Sequence, residues 1–202
     1  MKFKLSLIIF FLIGIFQANA QISFRPGFRA GANISHFTEG GGDGNYYIDQ
    51  ESTDLSFRSK TDFYIGFYGA LKLSRVYTMQ PEFTYSRQGT KYSYYDLNTN
   101  IRERKLDVSY LSAALINKFT FGSKFNMHVG PTIDFIVDKT RDFNVESDVD
   151  LAFTGGFGYE FTNNLGAEAR IKKGIIPVLD SNNSFHENVV ISVGLTYTFD
   201  VK

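Results

Sequence analysis

Acid–base and metal chemistry in proteins leans on histidine, and this chain has three. His36 ends one alternating segment and His186 precedes the last, so closing a sheet would bring both to one rim. Asp43 and Asp180 lie in the adjoining loops. Neutral imidazoles with a carboxylate can bind a divalent metal or act as base and orienter. Two rim histidines in polar loops explain the same pattern more simply. His128 and Asp134 share one strand face but stand six residues apart, about 20 Å along an extended chain, too far to touch. A second group comprises Arg29, Glu82, Glu160, Glu168, Arg170 and Lys172. It could line a pore or carry protons. It could equally form a paired polar core, because buried charge is tolerated only when paired and hydrogen-bonded. We expect the paired core. Gly40 to Asn45 is glycine-rich but lacks the Lys-Ser/Thr of a P-loop and the carboxylate spacing of an EF-hand, and reads as a loop tip. Glu39, Asp43, Asp49, Glu51 and Asp54 could bridge to surface divalent cations or simply be solvated. No catalytic, cofactor-binding or metal-binding residue is therefore assigned, no cofactor is expected, and no enzyme is expected.

The composition narrows the field further. Cysteine is absent, which excludes disulfides, thiol chemistry and Cys-based zinc sites. Bases and acids balance at 21 each, so no positive field exists to hold nucleic acid. Aromatic residues make up 16% of the chain, all Phe and Tyr. They are spaced singly between polar residues, the mark of strands with one apolar face.

The elements that would position these residues are strands. Leu151, Phe153, Phe157, Tyr159 and Phe161 alternate with Ala152, Thr154, Gly156, Gly158 and Glu160. Val189, Ile191, Val193, Leu195, Tyr197 and Phe199 alternate with Ser192, Gly194, Thr196 and Thr198. Eight such segments occur, at roughly 26–36, 62–74, 76–88, 106–120, 125–138, 150–162, 165–173 and 188–200. Each is near or above the roughly 9–11 residues that cross a bilayer at about 45°. In 106–120 both faces are apolar, and the inward parity stays open. Connections near 74–76, 121–125 and 162–164 are tight, whereas 37–61, 89–105, 139–149 and 174–187 are long and polar. Strict alternation of short and long is the asymmetry of outer-membrane barrels, with short periplasmic turns and long extracellular loops. One face carries Arg29, Lys72, Glu82, Asp134, Glu160, Glu168, Arg170 and Lys172; the other is nearly free of charge. A soluble barrel would be polar outside and apolar inside. Here the charges point inward if the backbone closes in lipid.

The N-terminus supports export. Lys2 and Lys4 precede an apolar run from Leu5 to Phe16, and Ala18-Asn19-Ala20 places small residues at a cleavage site. We expect a cleaved signal peptide over 1–20 and a barrel domain over 21–202. No Cys at the junction means no lipoprotein anchor. The predicted fold is an all-β, eight-stranded, antiparallel up-and-down transmembrane β-barrel in the outer membrane, with both termini periplasmic.

The chain resembles the PorT-like outer-membrane β-barrel proteins, which share the small-barrel architecture of the OmpA and OmpX type. The resemblance rests on Gly31-Ala32-Asn33-Ile34-Ser35, on Pro81 to Gly89, on Tyr110-Leu111 through Lys118-Phe119, on Val129-Gly130-Pro131 and on Gly155 to Glu160. Ala113-Ala114 stands in a region where the family has a proline. Some PorT-like relatives serve secretion or gliding machinery; that role is not carried over. Ser192 to Phe199 resembles the terminal signal read by the barrel-assembly machinery. The expected partners are outer-membrane lipid, that machinery during insertion, and a protein at the extracellular loops. A structural or interaction role leads. An accessory subunit of a secretion or transport assembly, a narrow channel and a membrane-embedded hydrolase or acyltransferase follow.

Overall fold

A computed structural model describes residues 23–37, 46–48, 51–53, 56–95, 101–140, 149–175, 179–181, 184–186 and 188–201, with side chains for 23–35, 58–91, 105, 107–140, 149–175 and 189–201. Eight strands form the barrel: β1 (Ser23–Phe37), β2 (Ser56–Lys72), β3 (Tyr77–Tyr95), β4 (Ile101–Phe121), β5 (Phe125–Lys139), β6 (Val149–Glu160), β7 (Leu165–Gly174) and β8 (Asn188–Thr198). Each pairs antiparallel with its sequence neighbours, and β8 closes on β1 from Gly27↔Thr198 to Phe37↔Asn188. Closure pairs every strand edge within the barrel, the condition for backbone to cross lipid.

The alternation in the sequence is realised as a lipid face and a lumen face. Phe67, Phe83, Phe157 and Val193 point outward with 56–67% of their surface open, whereas Glu82, Asp134 and Asn126 are 0–2% exposed. Apolar outside and charged inside is the membrane arrangement, so a soluble barrel is excluded. Near the tight turns the outer surface carries paired rings: Tyr77–Phe119 at 5.3 Å, Tyr159–Phe161 at 5.6 Å and Tyr197–Phe199 at 5.3 Å. Such a girdle marks the membrane–water boundary on the periplasmic side.

Local chemistry sets the turns. The Ser74 hydroxyl accepts from the amides of Val76 and Tyr77, and the Thr162 hydroxyl accepts from those of Asn164 and Leu165. Gly122 takes a φ of 65°, a left-handed conformation that glycine adopts without steric cost.

Two expectations change in detail. The segments 37–61 and 89–105 are not wholly loop. β2 begins at Ser56, and β3 and β4 run to Tyr95 and from Ile101, paired throughout. Alternation fades there because both faces leave the apolar band, yet Tyr, Thr and Ser still suit a ladder. Two short hairpins, Tyr46–Ile48 with Glu51–Thr53 and Leu179–Ser181 with Ser184–His186, lie within the long connections. In β4 the even positions Tyr110, Ser112, Ile116 and Lys118 face the lumen and Leu111, Leu115 and Phe119 face lipid. Its parity was unreadable because Tyr110 and Ile116 fill the lumen with apolar surface.

Candidate functional site

The middle of the lumen is held by four charges from three strands. Arg29 on β1 donates from Nε to Glu168 Oε1 at 2.7 Å and from Nη1 to Glu82 Oε2 at 3.1 Å. Arg170 on β7 grips Glu82 on β3 with both terminal nitrogens, at 2.8 and 2.9 Å, and Glu168 at 2.8 Å. Tyr64 donates to Glu168 at 3.1 Å, and Gln80 donates to Glu82 at 2.8 Å. The Arg29 guanidinium lies 4.5 Å from the centre of the Tyr64 ring. All four charged side chains are at most 7% exposed. Two cations meet two anions through bidentate and shared bonds, the geometry that offsets desolvation.

None of these ion pairs joins hydrogen-bonded neighbour strands. Small residues occupy many of the neighbouring register positions instead. Arg29 stands opposite Gly66, Glu168 between Gly158 and Gly194, Arg170 opposite Gly156, and Glu82 opposite Ala114. The long side chains lie over these gaps and reach across the barrel. A Cβ on Gly194 would come within 2.2 Å of the Tyr64 hydroxyl, and one on Gly156 within 2.8 Å of His128 Nε2. Glycine at 194 therefore lets Tyr64 reach Glu168.

Further pairs stack above and below. Toward the loops, Lys172 binds Asp134, which faces Asp150 directly across β5 and β6. Asn33 links Ser86 and Ser192 at 2.7 Å each. Toward the turns, Lys118 binds Glu160 at 2.7 Å, and Arg25 binds Asp200 at 2.6 Å. Lys72 opens onto a basin of about 200 Å³ at the turn-side mouth, with no acidic partner among the described residues. On the two sides of the four-charge cluster lie cavities of about 50 Å³ and about 10 Å³. A water needs about 10–15 Å³, so these hold a few waters and not a continuous column.

The paired core expected from Glu82, Glu160, Glu168, Arg29, Arg170 and Lys172 is thus what these side chains form. The pairs run across the lumen and, for Arg170 with Glu168, along one strand, not between hydrogen-bonded neighbour strands. Sequence reasoning missed Tyr64, Gln80, Lys118 and Asp150 as members of the network. The alternation of β3 and β6 was the signal that could have found Gln80 and Asp150, whereas aromatics on both faces of β2, from Phe63 to Tyr68, hid Tyr64.

His128 stays apart from Asp134 and lies 3.2 Å from Asn126 Oδ1. The histidine pair is not brought together by anything described: the His36 backbone pairs with Val189 and that of His186 with Leu179. The side chains of His36, His186 and Asp180 fall outside the described residues, as do Glu39, Asp43, Asp49, Asp54, the Gly40–Asn45 stretch and the side chain of Glu51. Among the described residues no group of three His, Asp or Glu side chains could hold a metal ion.

A closed eight-stranded barrel, apolar outside, ringed by aromatics at its turn side and packed with paired charge, is a small transmembrane barrel of the outer membrane. The chain belongs to the family of the outer membrane protein β-barrel domain, whose model matches residues 17–180. Its fold is similar to that of Neisserial surface protein A, at 13% identity over 86% of this chain and 97% of that one, with a TM-score of 0.51. It is also similar to Ail of Yersinia pestis, crystallised with the heparin analogue sucrose octasulfate, at 13% identity, 88% and 99% coverage and a TM-score of 0.49. OprG of Pseudomonas aeruginosa follows at 13% identity, 89% and 98% coverage and 0.47. A comparison with curated proteins finds no match. The even strand count puts both ends of the barrel in the periplasm, with the long connections outside.

Proposed function

We propose that this protein is a non-catalytic outer-membrane barrel that acts through its extracellular side, where loops and projecting strands meet a protein partner. The observation that carries this reading is the charge-paired lumen: a barrel plugged by Arg29, Glu82, Glu168 and Arg170 offers its rim and loops for work, not its interior. Within the family we place the chain with the PorT-like barrels, on Pro81 to Gly89 and the glycine–aromatic strand from Gly155 to Glu160. Export begins with removal of residues 1–20, and insertion uses Ser192 to Phe199 as the segment read by the barrel-assembly machinery. The test is purification of the tagged protein from gently solubilised outer membrane. A protein should co-purify with the wild type and be lost when residues 96–100 or 141–148 are replaced by Gly-Ser linkers. Recovery of the same proteins with and without those loops would overturn the reading.

A further inference from the structure

Above the level where the barrel closes, β2, β3 and β4 continue as a three-stranded sheet, out to Ser56↔Ser93 and Tyr95↔Ile101. The β3–β4 register runs without a shift from the periplasmic turn upward. The alternation that turns Phe83, Leu111 and Leu115 outward therefore continues and sets Lys91 directly opposite Lys105 on the outer surface. On the other side of β3, a bulge in β2 between Ser59 and Tyr64 shifts the pairing and sets Arg58 opposite Lys91. Three bases on three adjacent strands thus form one row, about 5 Å from strand to strand. Like charges in direct cross-strand register repel. Arg58 and Lys105 are exposed and Lys91 is half-buried. Lys91 and Lys105 have no acidic partner among the described residues, whereas Arg58, beside them in the row, already makes an interaction of its own. The nearby carboxylates are engaged: Lys60 binds both Asp62 and Asp107, and Arg87 lies 4.0 and 3.9 Å from them. Over 58–62, 87–91 and 105–107 there are five bases against two carboxylates.

We propose that the row Arg58–Lys91–Lys105 docks the phosphate groups of a phosphorylated glycolipid in the outer leaflet. Charge complementarity and depth select this occupant. Lys91 is six residues above the outward Tyr85 and Lys105 six above Leu111, about 20 Å along the strand and about 14 Å along the membrane normal at a 45° tilt. A phospholipid headgroup layer adds only about 5–8 Å beyond the hydrocarbon. A phosphorylated sugar headgroup spans the distance. The row lies on the outer surface, facing the surrounding lipid and not the lumen. This inference adds a lipid to the extracellular interactions proposed above and rests on the loops-out orientation.

The experiment uses the full barrel in phosphatidylcholine nanodiscs doped with fluorescent rough-type lipopolysaccharide, and reads retention against the dephosphorylated form. Wild type should retain the phosphorylated form preferentially. Lys91→Gln with Lys105→Gln should lose about fivefold of that preference per lysine, while Lys91→Arg with Lys105→Arg should keep it. Arg25→Gln with Lys72→Gln, at the opposite mouth, should leave it unchanged. Equal retention of both forms by wild type, or an unaltered preference in the glutamine pair, would overturn the proposal. So would displacement by millimolar inorganic phosphate, which marks an adventitious anion site. If the glutamine pair fails to fold, the wild-type comparison and the arginine pair still decide. Nanodiscs expose both rims to lipid, so failure here leaves the orientation and the protein-partner reading standing.

Discussion

Glu168 is the residue on which the lumen most depends. It receives Arg29, Arg170 and Tyr64, and its own flanks in register are Gly158 and Gly194. Removing it leaves two guanidinium groups against the single carboxylate of Glu82 in a site at most 7% exposed. Breaking a buried pair from one side costs about 3–5 kcal/mol. Glu168→Ala should therefore lower the stability of the barrel in a urea titration from lipid vesicles by about that amount, and Thr84→Ala, at 3.4 Å from Arg29, by much less. A loss under about 1 kcal/mol for Glu168→Ala would mean that water solvates the cluster.

At the scale of the strand, the two faces of one element should answer oppositely to substitution. Phe157 and Val193 point into lipid, whereas Thr154 and Ser192 face the lumen on the same strands. Phe157→Arg or Val193→Arg should cost about 2–4 kcal/mol near the bilayer midplane. Thr154→Asn and Ser192→Asn should be tolerated better, because the lumen offers polar partners such as Thr132 and Asn33. Matched losses on both faces in the same folding titration would contradict the inside-out assignment. The strand ends were the least legible feature. Hydrophobic alternation ends where the apolar band ends, but hydrogen bonding does not, so β3 and β4 run on past the point where the pattern stops.

For the whole molecule, orientation and conduction follow from closure. A tag at Asn45 or Asn183 should be labelled on intact cells, and one at Ser123 or Asn163 should not; the reverse pattern would invert the barrel. In planar bilayers the purified wild type should show no stable conductance. An ion would have to separate Arg29 and Arg170 from their carboxylates, and the cavities on the two sides, about 50 and about 10 Å³, supply too little water to replace those bonds. A steady ion-selective current, altered by Glu82→Gln in a barrel that still folds, would show a pore.

By itself the sequence determined the number of strands, their order, the loop asymmetry and which face of nearly every strand meets lipid. Those properties follow from period-two alternation and turn residues, which are local. Only the tertiary structure decided who pairs with whom in the lumen. Arg29, Glu82, Glu168 and Arg170 are separated by up to 141 positions in the chain. Their contacts depend on register, bulges and the glycine gaps at Gly158 and Gly194. Cross-lumen distance is a property of the closed sheet, set once β8 meets β1, and no local pattern encodes it. The same holds for Arg58, Lys91 and Lys105. They are scattered in the chain and become a row because one extra residue in β2 shifts its register against β3.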